Sequence, residues 1–136
     1  MSVKSVKRIP YRNKSPYGWW IASYIERFEY YDEDKDNENR RCLAWENTIM
    51  IKTKNRETAY QKAMEYGDYS EGNEAKINDR KGIWRFEGLT SLLPIYEKLE
   101  DGAEILWIEH KNKAVKSIKS LIKLKDELET FIDDEA

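Results

Sequence analysis

Few residues in this chain of 136 have the type and spacing for chemistry. Cys42 is the only cysteine and His110 the only histidine. A thiol nucleophile needs a neighbouring base, so a Cys42–His110 pair is the one arrangement of that kind the sequence offers. Metal binding needs clustered soft or borderline ligands, and one Cys and one His far apart do not supply them; no metal is expected. Asp32, Glu33, Asp34, Asp36 and Glu38 have the carboxylate density of a calcium loop. They lack its glycine at the sharp turn and its spaced glutamate, and read instead as a solvated acidic loop. No serine sits in a nucleophile elbow and no glycine-rich loop could cradle a phosphate, so no cofactor is expected.

Two other groups of residues suit binding. The aromatics Trp19, Trp20, Tyr24, Trp45 and Trp84 could stack bases, but Glu26, Glu29, Glu46 and Glu87 are interleaved with them and repel phosphate. Core packing and protein contact are the better uses, with Trp19, Trp45 and Trp84 as candidate contact residues. The second group is C-terminal. Six lysines and no acid lie between Lys111 and Lys125, and six acids and no base lie from Asp126 onward. Read as one helix over about 112–132, capped by Asn112, this segment has a wide apolar face that includes Ile118, Leu121, Leu128 and Ile132, with Lys125 beside it. Its charge order opposes the helix macrodipole, so something besides local stability would have to favour it. Two copies laid antiparallel would set basic half along acidic half, which predicts a homodimer through this helix.

The elements that must position these residues follow from periodicity. Residues 1–18 carry Lys4, Lys7, Arg8, Arg12 and Lys14 without an acid, broken by Pro10, Pro16 and Gly18, and read as a basic flexible arm; any nucleic-acid binding should be weak and come from it. Residues 19–31 are aromatic and β-branched, and Trp20, Ala22, Tyr24, Phe28 and Tyr30 share one parity that Glu26 breaks; this is a strand. Residues 42–54 alternate through Leu43, Trp45, Ile49 and Ile51 and predict a second strand, antiparallel to the first. Asn55 is a good N-cap for a short helix through Ala59, Tyr60, Ala63 and Met64, closed by Gly67. Strands at 74–78 and 83–89 flank a hairpin turn at 79–82, Leu92 to Tyr96 is an edge strand or none, and EILWIE at 104–109 reads as a strand. The expected fold is α+β: an antiparallel sheet of four to six strands, one short helix after the second strand and a longer C-terminal helix, with residues 19–136 as a single domain.

Composition bounds the class. Charged residues make up 37% and the net charge is −2, so nothing global attracts nucleic acid or an anionic membrane. The apolar runs are too short to span a bilayer, the N-terminus has no apolar stretch typical of a secretory signal, and one cysteine forms no internal disulfide; cytoplasm is the default compartment.

Four stretches are similar to those of a family of short bacterial proteins described as a domain of unknown function: the Trp19-Trp20-Ile21-Ala22 strand opening, the strand-to-helix junction from Ile49 to Tyr60, Trp84-Arg85-Phe86-Glu87-Gly88, and Leu99-Glu100-Asp101-Gly102-Ala103-Glu104. The resemblance spans about 19–107 and implies a fold and no catalytic residues. The arm, the loop at 32–41 and the terminal segment depart from the pattern. The resulting expectation is a non-enzymatic protein-interaction module, binding a protein partner or itself, of the kind that suits immunity, antitoxin, inhibitor or phage anti-defence roles. The alternative is a small enzyme or small-ligand binder, with a cleft lined by Trp and Tyr and served by His110, Glu109 or Arg85.

Overall fold

The computed structural model describes residues 8–133. Two compact units divide the chain, one through Leu106 and the other from Trp107. The first unit is built on four antiparallel strands: β1 (Trp19–Tyr30), β2 (Leu43–Lys52), β3 (Glu74–Ile77) and β4 (Arg80–Pro94), in the order β2-β1-β4-β3. The aromatic and β-branched residues at 19–31 take the centre of the sheet, where both edges of the strand are paired. β1 and β2 pair antiparallel without interruption from Trp19↔Lys52 to Phe28↔Leu43.

One helix, α1 (Arg56–Gly67), follows β2 and covers part of one sheet face. Asn55 stays extended and its Oδ1 accepts from the Thr58 amide at 2.9 Å, the N-cap expected from the sequence. Ala59 and Ala63 are fully buried against Trp20, Ala22 and Ile51, where small side chains let the helix approach the sheet closely. Gly67 is not the left-handed cap expected of it. It is helical, with φ −64° and ψ −37°. Its smallness serves packing, because a Cβ there would lie 2.4 Å from the Phe86 ring.

The hairpin between β3 and β4 turns at Asn78-Asp79, with φ of 53° and 61°, two residues before the expected position. Two positive φ values in a two-residue loop match the type I′ geometry that suits strand twist. β4 then runs as one strand through the region that the sequence leaves ambiguous around Pro94. Two register shifts against β1, at Ser23/Tyr24 and Ile25/Glu26, let it continue, and they blur the alternation a regular strand would show.

Residues 104–109 do not form the expected strand, since no neighbouring strand pairs with them among the described residues. The expected C-terminal helix over 112–132 is also absent. The second unit holds a five-residue helix, α2 (Val115–Lys119), and two 3₁₀ turns at Lys125–Glu127 and Glu129–Phe131. Asn112 is left-handed, at φ 54°, and does not cap α2. The charge order supplies the reason. Beyond α2, Lys119 and Lys123 would repel at helical spacing, and both termini of a longer helix would oppose the dipole. The chain bends instead, so that Lys123 pairs with Glu129 and Lys125 Nζ lies 5.1 Å from the centre of the Phe131 ring.

Candidate functional site

Beyond the area covered by α1, the same sheet face carries a connected row of aromatic rings. Phe28 of β1, fully buried, meets Tyr30 edge-on at 5.0 Å and Trp84 of β4 at 5.1 Å. Trp84 in turn lies 4.9 Å from Trp45 of β2, tilted by 41°. The row is capped at one end by Arg80, whose guanidinium sits 3.8 Å over Tyr30 and is held by Asp32. At the other end Trp45 is 50% exposed. A large ring braced from behind and open in front resembles the anchors that dominate protein interfaces.

Beside Trp45 stands the residue that breaks the parity of β1. Glu26 is buried, and its carboxylate accepts from Asn47 Nδ2 at 3.0 Å and from Ser70 Oγ at 2.6 Å. Both oxygens are thus satisfied, as a buried carboxylate requires. The 3₁₀ turn Asp68–Ser70 at the end of α1 delivers Ser70 to this point, and Tyr69 on that turn is 88% exposed.

The opposite sheet face carries an arginine–glutamate network. Arg85 Nε donates to Glu29 at 2.9 Å, Arg27 Nε to Glu87 at 3.2 Å and Arg40 Nε to Glu33 at 3.0 Å. Glu71 joins through Arg85 at 3.4 Å, and its other oxygen accepts from the Phe86 amide at 2.7 Å. Arg27 also lies 3.6 Å from Glu33 and so ties the 32–41 loop to the centre of the sheet, as Arg85 ties the segment after α1 through Glu71. Within the loop, Asp34 and Asn37 side chains accept from the amides two residues on, so the acidic run is ordered by its own turns.

Burial pushes the Glu29 carboxyl upward, but the Arg85 hydrogen bond and the charges of Arg85, Lys35 and Arg27 outweigh it and hold the group below the ordinary value of 4.5. A carboxyl held low when folded stabilises the fold above its unfolded value, and that contribution is lost as pH falls through the lower folded value. Thermal unfolding should therefore show a midpoint falling with acidification below about pH 4.5, with a shallower fall for Glu29→Gln. Identical slopes for the two proteins would show that Glu29 carries none of the acid sensitivity.

The residues expected to form contacts are thus divided. Trp45 and Trp84 come together. Trp19 lies at the far end of β1, its ring under Lys52 Nζ at 4.9 Å. Ile118, Leu121, Lys125, Leu128 and Ile132 belong to the second unit, where each is exposed on α2, on the turns or beside them. Cys42 is exposed in the first unit, His110 and Glu109 belong to the second, and Arg85 is committed to Glu29 and Glu71. The Glu26–Asn47–Ser70 cluster is not legible as a unit in the sequence; the break in parity at Glu26 is the one trace of it. Among the described residues no helix is long and apolar enough to cross a membrane.

The sheet, α1 and the aromatic row all fall within residues 19–107, which match the family model described as Domain of unknown function (DUF4288). The chain belongs to this family. The DUF4288 segment ends where the first unit ends, so the second unit lies almost wholly outside it, as does the described part of the N-terminal segment. No curated protein and no solved structure matches the chain.

Proposed function

We propose that the chain is a non-catalytic protein-interaction module that receives an extended segment of a partner along the outer edge of β2, with Trp45 as the anchor. The observation that carries this reading is the position of Trp45: half-exposed, braced by Trp84 and Phe28, on a ten-residue strand that ends the sheet. An edge strand presents unpaired amides and carbonyls that an incoming strand can satisfy, while alternate side chains set specificity. No bulge interrupts the β1–β2 register and no proline lies in β2, so two of the common devices that blunt such an edge are missing from it. The loop that leads into β2 carries Asp34, Asp36 and Glu38 exposed, which favours a segment bearing Lys or Arg.

This kind of contact suits an immunity, antitoxin, inhibitor or anti-defence protein, each of which acts by covering another protein. The expected homodimer would pair a continuous helix over 112–132, and that segment holds only α2 and two 3₁₀ turns, so the reading rests on β2 and not on self-association there. A photoreactive residue at position 47, introduced into the full chain in its native host, tests the reading. It should trap a protein adduct whose yield falls at least about fivefold when Trp45→Ala is added, as expected for loss of a central aromatic anchor. Adducts that form only from a control position such as Tyr60, or that survive Trp45→Ala unchanged, would overturn it.

A further inference from the structure

At the opposite end of β1 from the aromatic row, the N-terminal segment folds back on the sheet. A 3₁₀ turn at Tyr11–Asn13 places the Tyr11 ring against Tyr96, with centroids 5.9 Å apart. The Tyr96 hydroxyl donates to the Arg12 carbonyl, and Ser15 Oγ lies within hydrogen-bond reach of the carbonyls of Trp19 and Ile95. Between this segment and the start of α1 is a cleft of about 370 Å³. Tyr11, Pro16 and Trp20 contribute apolar wall, and the Trp20 indole N–H is already spent on the Thr53 carbonyl at 3.0 Å. Lys14, Lys54 and Arg56 supply three cations from two separate parts of the chain, and the lining contains no carboxylate. Among the described residues the one acid paired with these cations is Glu57, outside the lining, 83% exposed and 3.7 Å from Arg56. Exposed pairs of that kind contribute little and compete weakly with a ligand.

We propose that this cleft binds a small aromatic phosphate of about the size of a nucleoside monophosphate. Its volume lies at the small end of the ligand-pocket range, roughly 300–1,000 Å³, which suits one such molecule and not a larger cofactor. A phosphate monoester carries a charge of about −1.5 to −2 near neutral pH, which matches convergent cations better than a carboxylate does. The flat body would lie along Tyr11 and Pro16 above Trp20. The hydrogen bonds and ring stacking of the N-terminal segment hold these walls in place before any ligand arrives, which lowers the cost of ordering them on binding.

Calorimetric titration of the full chain at about 0.15 M salt with AMP, adenosine and inorganic phosphate tests the site, since that ionic strength screens diffuse attraction. AMP should bind saturably at about millimolar or better, with adenosine and inorganic phosphate each at least about tenfold weaker. The double variant Lys54→Glu/Arg56→Glu should weaken AMP at least about tenfold and leave thermal unfolding nearly unchanged, because Lys54 is exposed ahead of the helix and an acid at position 56 is favourable in its first turn. Lys14→Glu, outside the helix, should weaken AMP in the same direction. No saturable binding, equal affinity for AMP and inorganic phosphate, or indifference to these variants would overturn the proposal.

Discussion

Gly82→Ala is expected to destabilise the first unit by about 3 kcal/mol, because the new methyl has no room on any side. Gly82 faces Tyr30 across the β1–β4 ladder. An ideal Cβ on it would lie 2.3 Å from the Glu29 carbonyl oxygen and 2.7 Å from Phe28 Cε2. The first of these is backbone on the central strand. It retreats only if the ladder opens, and the hydrogen bond from the Tyr31 amide to the Lys81 carbonyl would loosen with it. Each kcal/mol moves the melting midpoint of a domain this size by roughly 4 °C, so a fall of about 10 °C or more should be seen in calorimetry. A change smaller than about 1 kcal/mol would mean that β1 and β4 are not so closely apposed.

Phe28→Ala should cost more, roughly 3–5 kcal/mol, the range for deleting a fully buried phenyl ring where the surroundings collapse only in part. Phe28 has no exposed surface and supports both Tyr30 and Trp84 by edge contacts. Set against a usual net stability of about 5–15 kcal/mol, that loss leaves a domain close to unfolding at ambient temperature. Urea titration followed by tryptophan fluorescence measures it, and the native spectrum should also change because Trp84 and Trp45 lose their backing. Phe28→Leu, which keeps most of the apolar volume, should recover more than half of the loss. Equal destabilisation by the two variants would show that ring-edge contact, and not volume, is what Phe28 provides.

Where local pattern and tertiary demand agree, the sequence reads correctly. The strand at 19–31, its antiparallel partner and the Asn55 cap are of this kind, each resting on alternation or on a side chain bonding to its own backbone. Misreadings arise where one signal has two physical meanings. Gly67 has the composition of a helix terminator, yet it is there because Phe86 occupies the space of a side chain. Apolar positions at helical spacing after Asn112 suggest a long helix. The lysines and acids between them oppose it, and the charges prevail in a segment whose described side chains beyond Trp107 are all exposed.

Residues 104–109 carry strand-like composition but pair with no strand among the described residues, and a strand is defined by its neighbour. The candidate sites follow the same division. Trp45 and Trp84 can be picked out by type. Their juxtaposition, the burial of Glu26 under Ser70 and Asn47, and the convergence of Lys14 with Lys54 and Arg56 depend on folding that brings distant segments together.

Hydrogen–deuterium exchange of the full chain, alone and with the partner captured at position 47, tests edge docking most directly. Added strand pairing should slow exchange of the β2 amides that face away from β1 by at least about tenfold, while the outer face of α1 around Tyr60 and Tyr66 exchanges as before. Protection gained on α1 or in the second unit, with Leu43–Lys52 unchanged, would contradict the account.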